Sequence, residues 1–171
     1  MRITREQVDE ITAAFERLNL ADIPSTLPLN AETLQKRFND RINSFLEPAE
    51  LDEESRALMR KLLLIDEYKT FTDTGKDFFF NLFGDTIGLF AYGYSGDNFK
   101  IVRLCFTVPD NQRESQTLNL VFDAFTKSFL PESDGEEFIS ALKTKPEVVR
   151  DGVKFSLTQN DNLLTVTAVG E

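Results

Sequence analysis

The stretch Asp77–Val108, DFFFNLFGDTIGLFAYGYSGDNFKIVRLCFTV, decides the fold. Apolar residues alternate here with a period of two, the mark of strands, and two turn signals interrupt them. Gly84-Asp85 divides a first strand from one running over 86–94, and Ser95-Gly96-Asp97-Asn98 divides the second from a third over 99–108. Loop length fixes pairing. A two-residue Gly84-Asp85 loop sets Leu82 opposite Ile87, Phe80 opposite Leu89 and Phe78 opposite Ala91. A four-residue Ser95–Asn98 loop sets Ala91 opposite Val102, Leu89 opposite Leu104 and Ile87 opposite Phe106. Both hairpins then put one apolar set on one face, which is expected to lie under helices.

The reverse face of this meander is also apolar. It is expected to carry Phe79, Phe90, Tyr92, Tyr94, Phe99 and Ile101, with Asn81, Arg103 and Cys105 among them, and Arg103 opposite Phe90 with its guanidinium on the ring. Two explanations stand side by side. A helix or a second copy of the chain covers the face, because large exposed apolar patches are rare on monomers. Otherwise it is a partner or ligand surface with Phe79, Phe90, Tyr92, Tyr94, Phe99 and Arg103 as its anchors.

Helices flank the meander. Thr4 and Gln7 form a capping box for a helix over about 5–20 that carries Val8, Ile11, Phe15 and Leu18. Asn30 caps a second helix striped by Leu34, Phe38, Ile42 and Phe45, and Pro48 leads into a third with Leu58, Met59, Leu62 and Leu63. The segment 62–65 reads equally as the start of a strand. Pro109 and Asp110-Asn111 close the meander and start a helix with Leu118, Phe122, Phe125 and Phe129, and Ser133 with Glu136 opens another with Phe138, Ile139 and Leu142. A last hairpin pairs 153–157 with 163–169, its second face mostly polar (Lys154, Ser156, Thr158, Leu163, Thr165, Thr167). The expected fold is α+β: an antiparallel sheet of about five strands, meander plus C-terminal hairpin, with helices packed on one face. Residues 1–171 form a single domain.

Residues 31–46 align without gaps on 115–130 with 6 identities in 16 positions. A tandem helix–helix–hairpin repeat over 30–108 and 110–171, with the helix over 4–20 preceding it, explains the match, as does a shared helical period. In order of elements alone, the tandem arrangement resembles the β-lactamase inhibitory proteins, which implies a binding role.

A chain of 171 residues, 41% hydrophobic and 28% charged, buries enough core to fold without staples. Its 16 phenylalanines have no polar handle and belong mostly inside. The formal charge of −10 (19 basic, 29 acidic) leaves only basic pairs such as Lys36-Arg37 and Arg60-Lys61, so no nucleic-acid partner is expected. No run approaches a membrane span. A cytoplasmic location follows by default, and an exported or lipid-anchored one if a leader has been removed.

The absence of histidine removes Ser-His-Asp and Cys-His catalysis and His-ligated metals. The single cysteine, Cys105, lies in an apolar strand and reads as an inert thiol. No phosphate-binding loop or complete dinucleotide fingerprint occurs, so neither cofactor nor metal is expected. The first expectation is therefore a non-catalytic binding or protein-interaction module that uses the aromatic face of the central sheet on a protein or small ligand, as monomer or homodimer. The alternatives are a dimeric acidic chaperone of the secretion type and an enzyme relying on carboxylate or Tyr chemistry.

Overall fold

The computed structural model describes residues 2–66, 68–73 and 75–171. Five α-helices and one antiparallel sheet make an α+β domain: α1 (Arg5–Glu16), α2 (Ala31–Leu46), α3 (Glu53–Leu63), α4 (Gln112–Phe129), α5 (Gly135–Thr144) and seven strands. The strands are β1 (Lys69–Asp73), β2 (Lys76–Phe83), β3 (Ile87–Tyr94), β4 (Phe99–Thr107), β5 (Val148–Arg150), β6 (Val153–Asn160) and β7 (Leu163–Gly170). Their order is β1-β2-β3-β4-β7-β6-β5.

Each helix starts where a short polar side chain meets its orphan amides. Thr4 and Gln7 form the reciprocal capping box, and Asn30, Asp52 and Asn111 each accept from the amide three residues on. At α5 the cap is Asp134, which accepts from the Glu136 amide, rather than Ser133. The first helix stops at Glu16, and a 3-10 turn at Leu20–Asp22 takes the chain into an extended connector. That connector bonds Leu27 and Leu29 to Phe99, then bridges Ser25 to Gly170 across the end of the sheet.

Against the expected five strands, β1 and β5 are additional, one at each edge. The β3–β4 register is the expected one, with Ile87 opposite Phe106, Leu89 opposite Leu104 and Ala91 opposite Val102. The β2–β3 register differs by one residue. Thr86 joins Gly84 and Asp85 in a three-residue loop, with Gly84 in the left-handed region at φ 66°, so Phe83 rather than Leu82 faces Ile87. A slip of one residue turns every side chain of β2 to the other face. Phe78 and Phe80 therefore stand opposite Tyr92 and Phe90.

Helices lie on both faces, not one. α2, α3, α4 and α5 cover the face that carries Phe83, Leu89, Leu104, Phe155 and Val166, where the larger core forms. α1 covers the other face at β2, β3 and β4, sealing Phe78, Phe80, Phe90, Tyr92 and Ile101 beneath Phe15 and Leu20. Beyond α1 that face continues over β7 and β6 as the expected polar surface, with Ser156 opposite Thr167 and Thr158 opposite Thr165.

The sheet order is palindromic about the β4–β7 pair: β2-β3-β4 is followed by β7-β6-β5, and a helix pair precedes each set. The two aligned helices, α2 and α4, pack against each other.

Candidate functional site

The six residues nominated from the sequence do not share an open surface. Phe90 is completely buried and Tyr92 nearly so, because the α1 stripe lies on them; Phe15 stands 5.5 Å from the Phe78 ring and 5.8 Å from Tyr92. Arg103 does pair with Phe90 across the strands, but its guanidinium lies 4.9 Å over the Phe15 ring instead. Partial burial there lowers the arginine's affinity for its proton. Phe79 and Phe99 sit on the helix side, edge to face at 5.3 Å. Phe79 is there because of the β2 slip. Phe99 is there because the register shifts at Tyr92/Gly93, leaving Lys100 as an extra residue between Ile101 and Phe99. Tyr94 alone of the six is exposed, at the end of β3.

The concavity that the fold does build lies elsewhere. It is a groove of about 930 Å³ along α4, with α5 and the end of α2 as its other walls and β4, β6 and β7 as its floor. The floor and flanks are apolar: Phe106, Leu118, Ile139, Leu157 and Leu164, with Val108 at the mouth, 54% exposed. Leu118 and Ile139 were legible as helix-stripe residues; that their stripe is not fully covered was not, because a gap between elements has no local signature.

Polar groups enter along α4 and α5 (Ser115, Asn119, Asp134, Glu136, Lys143) and at the α2 end. Arg41 Nε donates to Asp123 Oδ2 at 2.8 Å, and the Arg41 guanidinium lies 4.4 Å over the Phe45 ring. Lys127 donates to the Ser133 carbonyl at 2.8 Å, which leaves its ammonium anchored at the rim. Gly135, the first residue of α5, is buried against Asp123, and a Cβ there would stand 3.2 Å from the Asp123 Cα. The missing Cβ lets the start of α5 approach α4 closely beside the groove.

The chain matches no protein-family model, no curated protein and no solved structure. Geometry alone therefore carries the functional reading.

Among the described residues, no group of three or more His, Cys, Asp or Glu is placed to hold a metal ion. Cys105 is fully buried, and Thr165 Oγ1 donates to its sulfur at 3.5 Å. Burial raises its pKa from 9.0 to about 11, with the Thr165 bond and the nearby Arg103 opposing the shift. Because the folded state favours the neutral thiol, this contribution to stability is complete below pH 9.0 and is lost as pH rises through about 11. We expect iodoacetamide at about pH 8 to leave native Cys105 unmodified and to alkylate it rapidly in denaturant. Rapid labelling of the native protein would show instead that the strand opens.

Proposed function

We propose that this protein is a non-catalytic binding module that holds a small, largely apolar ligand in the groove between α4 and α5. The observation that carries this reading is the groove itself. At about 930 Å³ it falls within the range of small-molecule sites, and it combines an apolar lining with the few convergent polar groups that fix a ligand's orientation. Three of the charged groups at its α2 end are held in place, Arg41 with Asp123 and Lys127 with a carbonyl, while Glu136 and Lys143 of α5 add further charge to the lining. The held groups suit positioning a ligand. The apolar set Leu118, Ile139, Leu157 and Leu164 supplies the affinity.

The test is a titration with the fluorescent apolar probe 8-anilinonaphthalene-1-sulfonate. A saturable rise in emission at one equivalent is expected from the native protein. Val108→Asp places a charge at the half-open mouth, where no core packing is disturbed. It should weaken probe binding about tenfold, equal to about 1.4 kcal/mol, and leave thermal unfolding unchanged. An absence of saturable binding, or an affinity unchanged by Val108→Asp, would overturn the assignment.

A further inference from the structure

The α5 wall of the groove carries two charges of opposite sign. Glu136, Ile139 and Lys143 follow one another at spacings of three and four, so they share one strip of the helix, and all three line the groove. Seven residues at about 1.5 Å each set the two charged positions about 10 Å apart, with Ile139 between them. Among the described residues, neither the Glu136 carboxylate nor the Lys143 ammonium has an ion-pair or side-chain hydrogen-bond partner. Their neighbour Glu137, by contrast, is engaged by Arg150 at 2.9 Å and is no part of the lining.

The remaining charges of the lining gather at the amino end of α5. Gly135 stands against Asp123, Asp123 accepts from Arg41, and Lys127 reaches the Ser133 carbonyl. With Asp134 and Glu136, that end holds three carboxylates against two cations, while Lys143 stands alone at the other. The dipole of α5 offsets about half a charge at each end and reverses neither sign. The groove is thus negative at one end, positive at the other and apolar between.

The α4 wall adds Ser115 and Asn119, one turn apart, whose side chains have no hydrogen-bond partner among the described residues. A hydroxyl and a carboxamide offer donors and acceptors that a hydrocarbon cannot use and a peptide bond can. An amide that leaves water for an apolar site needs such partners.

We propose that the groove takes a short apolar peptide with free termini, its amino group beside Glu136 and its carboxylate beside Lys143. An extended chain of three residues spans about 10 Å, which matches the separation of the two charges. The inference rests on the groove being a ligand site and adds the class of ligand.

The experiment titrates the full chain with Leu-Leu-Leu by calorimetry at about 10 mM salt, where exposed charges are least screened. The same peptide is also run acetylated at its amino terminus or amidated at its carboxyl terminus. Free Leu-Leu-Leu should bind at one equivalent and displace 8-anilinonaphthalene-1-sulfonate. Each blocked form should bind about threefold more weakly, the scale of an exposed ion pair. Glu136→Gln should weaken the free peptide by the same factor and leave acetylation without further effect. Lys143→Gln should do the same for amidation, a pairing that a general change in the fold would not produce. 8-Aminooctanoate, which carries both charges and no amide, should bind less well than the peptide.

The proposal fails if the blocked peptides bind as tightly as the free one, or if acetylation still costs threefold in Glu136→Gln. Equal or tighter binding of 8-aminooctanoate would also remove the peptide. If the fluorescent probe binds saturably and Leu-Leu-Leu does not displace it, the ligand class is wrong and the groove remains a site. If neither binds, both readings fall.

Discussion

Phe15→Ala is expected to destabilise the domain by about 3–5 kcal/mol, the usual range for deleting a ring from a sealed site. Phe15 is completely buried and touches Phe78, Tyr92 and the Arg103 guanidinium at once. The loss is more than a transfer term. α1 is a single helix of 12 residues on the open side of the sheet, and Phe15 is its only fully buried residue. A lone helix of that length is marginal in water, so α1 persists because of what it docks against. Without the ring, α1 should loosen and expose Phe78, Phe80 and Tyr92, the aromatic set that it now covers. Against a total stability of about 5–15 kcal/mol, the change is large enough to read directly from urea unfolding. Faster proteolytic cleavage within residues 5–16 should accompany it. A loss below about 1 kcal/mol would mean that α1 contributes little to the closure of that face.

Phe138→Ala should cost a similar amount, about 3–5 kcal/mol, and do so on the opposite face. Phe138 stands edge to face on Phe155 at 4.8 Å and stacks on Phe122 at 6.1 Å. The Arg150 guanidinium covers it at 5.4 Å and makes two bonds to Glu137, at 2.9 and 3.1 Å. The ring thus pins α5 to both the sheet and α4, and α5 carries the groove residue Ile139. The variant should therefore lose probe binding as well as stability. Unfolding measured with and without probe separates the two effects: a destabilised variant that still binds at native affinity would show that the groove does not depend on where α5 sits.

Much of this architecture is written locally. Thr4 and Asn30 announce helix starts because a cap acts within three residues, and the β3–β4 pairing follows from alternation and a four-residue turn. What the local pattern omits are matters of one residue or of tertiary partners. Whether Thr86 belongs to the loop or the strand decides the side on which Phe78, Phe79 and Phe80 lie, and both choices give a regular alternation. The shift that moves Phe99 to the helix side depends on where Lys100 is left over. The three-residue β5 is too short to show a period, and β1 follows a helix whose end was ambiguous. The α1 stripe was plain, but nothing in a stripe says which face of a sheet it will find. The groove was least legible, being the space that α4, α5 and the sheet fail to fill.

The palindromic sheet has a consequence for how the protein is made. The seventh strand of the sheet in chain order, β7, occupies an interior position between β4 and β6. During synthesis, β1 to β4 emerge well before it, and until residues 163–170 leave the ribosome the apolar flank of β4 has no neighbour. An unpaired edge of this kind is a template for association with another chain. The nascent protein is thus most vulnerable to aggregation in the interval when the meander is formed and its partner strand is still inside the tunnel. Conditions that slow elongation between β4 and β7 should lower the soluble yield more than equal delays placed before β4.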